Sequence, residues 1–167
     1  MALSRARIDE IEAITQTLIT ECYQSHGAAV NPPINVPQIC KDYGLAAKIM
    51  QFEDNEIEGA LKPDLKMIVV NSKSPLTRQL FTMSHELGHY ILHDDENEDI
   101  FYRKDLNARR LNDLPEDKRI VEQEANWFAA SLLMPKKLLT EWFNLSGGDR
   151  GLLARVFSVS DQAMYYR

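Results

Sequence analysis

Phe81-Thr82-Met83-Ser84-His85-Glu86-Leu87-Gly88-His89-Tyr90-Ile91-Leu92-His93 is the stretch on which the fold of this chain turns. Ahead of it, Ser74-Pro75 suits a helix start, with Ser as N-cap and Pro at the first helical position. At about 100° per residue, Leu76, Leu80, Met83, Leu87 and Ile91 fall on one stripe, and His85 and His89 lie on nearly the opposite side. The spacing predicts a helix over 75–93 that packs with one face and presents two imidazoles with the other.

Within that helix, His85-Glu86-Leu87-Gly88-His89 is an HExxH motif. Residues four apart stand one turn apart on one face, so both imidazoles reach a single zinc ion while the Glu86 carboxylate projects beside it. Glu86 is thereby the candidate catalytic base. Gly88 inside a helix costs about 1 kcal/mol relative to Ala, so a close neighbour or the metal must account for it. His93 continues the ligand face but lies too far along to share an ion with His85, which suits a structural or supporting role.

A catalytic zinc takes three protein ligands and keeps one position for water, so a third donor must come from elsewhere. Pro115-Glu116-Asp117 opens a second helix, running to Met134 and broken by Pro135, that carries Glu122-Gln123-Glu124-Ala125-Asn126. Projection groups Glu122 with Ala125, Asn126, Ala129 and Leu133 and turns Glu124 largely the other way. Both carboxylates lie near the edge of the apolar arc, and projection leaves either open as the third ligand.

Further out, apolar positions Ile8, Ile11, Ile14, Leu18 and Ile19 mark an amphipathic helix over about 5–22, and 36–43 reads as a short helix stopped by Gly44 in a left-handed cap. Runs at 45–52, 57–62 and 66–71 read as three short strands of a small antiparallel sheet. Residues 94–110 have no clear period. Their acidic run at 94–99 is a solvated loop that lacks the ligand pattern and glycine of a calcium-binding EF-hand loop. A helix over 136–144, a Gly147-Gly148 break and a final helical stretch close the chain.

A length of 167 residues fits one domain, divided into an N-terminal helix and loop (about 1–35), a core (36–145) and a C-terminal helical tail (146–167). The net charge of −6 argues against direct nucleic-acid binding, even though 150–166 has the small-residue texture of a helix-turn-helix; that stretch reads as packing or partner-binding surface. No apolar run is long enough to cross a bilayer, and residues 1–7 lack the features of a secretory signal, so the expected location is the cytoplasm, away from membranes. Cys22 and Cys40 form no Cys-x-x-Cys pair and read as free, partly buried thiols rather than a disulfide or a thiolate metal site.

The two motif blocks, 81–93 and Ala125-Asn126-Trp127-Phe128-Ala129-Ala130-Ser131-Leu132-Leu133-Met134-Pro135, resemble the ImmA/IrrE family of bacterial metallo-endopeptidases, over roughly residues 36 to 160. Glu122-x-x-Ala125-Asn126 is similar to the gluzincin arrangement, with Asn126 where that pattern has Asp. The resemblance implies an α+β fold in which a small sheet packs on a mainly helical, zincin-like core with the HExxH motif on a central helix. It also implies one zinc ion on His85, His89 and Glu122, Glu86 as catalytic base, and a protein substrate, a helix-turn-helix transcriptional repressor, cut to relieve repression in a mobile-element or stress response. Asn126 would orient His85, and Tyr102 and Arg103 are chemically suited to stabilise an oxyanion. An extended substrate could add to the edge of the sheet near 57–61.

Two other classes compete. One is a non-proteolytic regulator that binds a repressor around a structural zinc, for which the intact Glu86 has no use. The other is a zinc hydrolase of small molecules, which no cofactor or nucleotide motif supports.

Overall fold

The computed structural model describes residues 3–54, 56–93, 101–104 and 114–167, with the strand at 101–104 given by its backbone pairing. The chain is α+β, as the sequence predicts. Its described elements are α1 (Arg5–Ser25), α2 (Val36–Asp42), β1 (Ala46–Met50), β2 (Ile57–Lys62), β3 (Met67–Asn71), α3 (Leu76–Leu92), β4 (Phe101–Lys104), α4 (Glu116–Leu133), α5 (Lys136–Leu145), α6 (Arg150–Val156) and α7 (Asp161–Tyr166). The acidic run at 94–99 lies outside the described residues.

The sheet differs from the expected one in two ways. It has four strands in the order β1-β3-β2-β4, and β1 runs parallel to β3 while the other two pairings are antiparallel. Pairing direction is set by where the chain returns in space, which alternation of apolar residues does not encode. β2 is hydrogen-bonded on both sides, so the expected substrate edge at 57–61 is not an edge. The outer strands are β1 and β4.

Gly59 of β2 ties the sheet to α3. A Cβ there would run into the Thr82 methyl and come within 2.8 Å of the Val69 carbonyl oxygen, so only glycine lets the helix lie this close. Leu61, Ile68 and Val70 join Met83 and Leu87 in the core.

Ser74 does not cap α3. Pro75 stands at the cap without a side-chain bond, and the Ser74 hydroxyl donates to Glu58 Oε2 at 2.6 Å instead. The expected stripe also starts late, since Leu76 is 63% exposed whereas Met83 and Leu87 are buried. From Thr82 to His89 every residue of α3 is buried, the histidine face included, because α4 packs along it. The C-terminal stretch is two short helices from which Leu153 and Met164, together with Phe157 and Val159 of the link between them, enter the core, in keeping with a packing role.

Candidate metal centre

At Gly88 α3 and α4 lie in close contact. A Cβ at that position would stand 3.0–3.2 Å from three atoms of Phe128, which is itself fully buried. Of the two reasons open for this glycine, the close neighbour is the one present. The approach brings the histidines of α3 against the acidic turn of α4.

Three donor side chains converge there. His85 Nε2 lies 2.9 Å from His89 Nε2, and Glu122 places Oε2 at 3.3 Å from the first and Oε1 at 3.3 Å from the second. Ligands about 2.0–2.1 Å from a tetrahedral zinc stand about 3.3–3.4 Å apart. The spacings of 2.9 and 3.3 Å lie near the edges of one face of such a tetrahedron, so small side-chain adjustments would seat the ion. Burial opposes the charge on Glu122, but the two imidazoles outweigh it and hold the carboxyl well below the usual carboxylate range. An ionised carboxylate and two ring nitrogens form a borderline donor set suited to zinc.

Asn126, one turn beyond Glu122, places Oδ1 at 3.0 Å from His85 Nδ1. With the amide oxygen facing the ring, Nδ1–H donates and the Nε2 lone pair is left for an ion. An amide does this without adding charge, so the ring stays less basic than it would beside a carboxylate. Glu86, in the same turn as His85, is 1% exposed.

Glu124 goes elsewhere. It accepts two hydrogen bonds from Arg7 of α1, at 2.8 Å from Nε and 2.7 Å from the terminal nitrogen, and stands 3.6 Å from His93 Nε2. The hydrogen bond to Glu124 outweighs desolvation and raises the pKa of the Arg7 guanidinium above its ordinary value. Arg7 is the residue that sequence reasoning missed. No local pattern points from position 7 to a partner 117 residues away.

The side chains of Tyr102 and Arg103 lie outside the described residues. A groove of about 800 Å³, walled in part by Phe81, Trp127 and Tyr166, borders Asn126, but His85, His89 and Glu122 do not line it. No described helix is long and apolar enough to cross a membrane.

Residues 40–167 match the family described as the IrrE N-terminal-like domain. The chain is 30% identical over 112 residues to a radiation response metalloprotease IrrE of Deinococcus radiodurans and 32% identical over 112 residues to that of Deinococcus deserti. Both alignments take in 65% of this chain but only 32% and 38% of those proteins. An immunity region protein 2 of Bacillus phage phi105 is 36% identical over 92 residues, which is 54% of this chain and 52% of that one. A Mycobacterium tuberculosis transcriptional regulator shares the fold, with a TM-score of 0.65 at 19% identity over 93% of this chain and 45% of that chain.

Proposed function

The chain belongs to the IrrE N-terminal-like domain family, and on that premise we propose that it is a zinc-dependent endopeptidase that cuts a helix-turn-helix transcriptional repressor. The observation that carries the chemistry is the convergence of His85, His89 and Glu122, with donor spacings of 2.9, 3.3 and 3.3 Å. The substrate class rests on relatives named radiation response metalloprotease and immunity region protein, of which the chain spans between about a third and a half.

His85, His89 and Glu122 hold the ion, and bound zinc supplies a polarised water with a pKa near 7 and a Lewis acid for the scissile carbonyl. Glu86 takes the proton from the attacking water and passes it to the leaving amine nitrogen. Its burial beside the ligands keeps bulk water from competing for that proton. Asn126 keeps the His85 ring turned so that Nε2 faces the ion. Release of the cut repressor frees its operator; the chain itself touches no DNA in this scheme, and the setting is the cytoplasm, where such repressors act.

The test is to incubate the zinc-loaded chain with helix-turn-helix repressors from the same genome, taking any encoded by a neighbouring gene first, with and without chelator. The wild type should produce two fragments of the repressor, and the chelator should stop it. Glu86→Gln should keep its zinc and leave the repressor whole. Full relief of repression by Glu86→Gln in cells would show instead a regulator that acts by binding around a structural zinc.

A further inference from the structure

Cys22 and His26 stand one turn apart at the end of α1, and Asp42 is the last residue of α2. One donor atom from each lies within 4.8 Å of the others. His26 Nε2 is 3.1 and 3.2 Å from the two Asp42 oxygens. We propose that Cys22, His26 and Asp42 form a second zinc site, separate from the His85 triangle, that clamps the end of the first helix to the second.

The donor set carries this assignment. Sulfur at about 2.3 Å and nitrogen or oxygen at about 2.0 Å from a tetrahedral zinc stand about 3.3–3.6 Å apart. The His26–Asp42 spacing is already close to this. Closing the sulfur distances takes a side-chain movement that His26 can make, because its side chain is 47% exposed. Thiolate and carboxylate together carry two negative charges, which match a divalent ion, and thiolate with imidazole favours zinc over the harder magnesium or calcium. Gln38 flanks the same point, with its amide nitrogen 2.8 Å from Asp42 Oδ1 and 3.1 Å from His26 Nε2. A half-turn of that amide presents its oxygen as a fourth donor.

Burial first, and then the hydrogen bond to Asp42, push the Cys22 thiol up to about 11. At neutral pH the sulfur therefore holds its proton, which makes Cys22 a poor nucleophile despite its His and Asp neighbours. Zinc binding replaces the thiol proton, which passes to solvent, and replaces the His26 Nε2–H bond to Asp42, the proton of which moves to Nδ1 of the same ring or to solvent. Cys22 and His26 precede residue 40, where the family match begins, and Asp42 lies just within it.

Cobalt distinguishes the two sites, because only the second has sulfur to give a thiolate-to-cobalt charge-transfer band in the near ultraviolet. The cobalt-loaded full chain should show that band, and zinc-loaded protein should hold two ions per chain. Cys22→Ser should lose the band and one ion, whereas Cys40→Ser, which alters a fully buried thiol outside the cluster, should keep both. His26→Ala changes an exposed residue and should leave the far-ultraviolet circular dichroism as it is. It should nonetheless weaken the second ion by at least about tenfold, the loss that even a hydrogen-bond partner of a ligand causes. A folded wild type that binds cobalt without the band, or a band that survives Cys22→Ser, would overturn the assignment.

Discussion

Phe128 occupies the space that a side chain at position 88 would need, with ring atoms Cδ1 and Cγ 3.0 and 3.1 Å from where a Cβ would stand. Gly88→Ala sets two effects against each other. Alanine gains about 1 kcal/mol of helix propensity, whereas overpacking costs about 1–3 kcal/mol when the neighbour cannot retreat. Phe128 is fully enclosed and cannot retreat. The expected outcome is a lower thermal midpoint and weaker zinc binding together, because α3 and α4 are pushed apart across the donor triangle. Thermal unfolding with and without zinc checks both; a more stable variant with unchanged affinity would show that the helix contact does not set the site.

Exchanging the two acidic residues of α4 should separate metal from scaffold. Glu122→Ala should lose the ion held with His85 and His89. Glu124→Ala should keep the ion but lose about 1–3 kcal/mol of stability, because a partly buried guanidinium loses two charge-assisted hydrogen bonds. Metal content measured beside urea unfolding tells them apart. Zinc retained by the first variant and lost by the second would reverse the assignment.

Asn126→Ala removes the acceptor that faces His85 Nδ1, and zinc affinity should fall by about 10–100-fold with the fold intact. Asn126→Asp should restore or exceed the original affinity, because the carboxylate makes the ring a stronger donor. Competition with a chromogenic chelator measures both.

Zinc release on acidification should count about two protons per ion, one for each imidazole, because both rings ligate only when deprotonated. The Glu122 carboxyl should add none in that range, since the imidazoles hold it ionised well below its ordinary value of 4.5. The sign for the metal-free chain follows from the same depression. Glu122's contribution to stability is complete above the unfolded value and is lost only as pH falls through the lower folded one. A release curve that is steeper and centred near 4.5 would contradict this.

The helices and their motif were legible because they depend on local periodicity. His85, Glu86 and His89 follow from a four-residue spacing, and α4 begins beside the Pro115 that announces it. What required the structure was longer in range. Glu122 and Glu124 differ by a rotation about the helix axis, and what separates them is what each meets: the two imidazoles for one, Arg7 from the other end of the chain for the other. The parallel β1–β3 pairing and the strand at 101–104 were likewise invisible, since neither leaves a period in the residues that form it.

The Arg7–Glu124 pair also bears on what counts as the working unit of this protein. The family match starts at residue 40, yet the guanidinium that neutralises a carboxylate two residues from Glu122 comes from position 7. A fragment trimmed to the matched region would keep all three donors but lose the guanidinium whose two hydrogen bonds hold Glu124, leaving His93 at 3.6 Å as its ion-pair partner. The start of the family match and the boundary of cooperative folding are therefore different lines on this chain, and the core that carries the donor residues closes only with a helix that lies ahead of the matched residues.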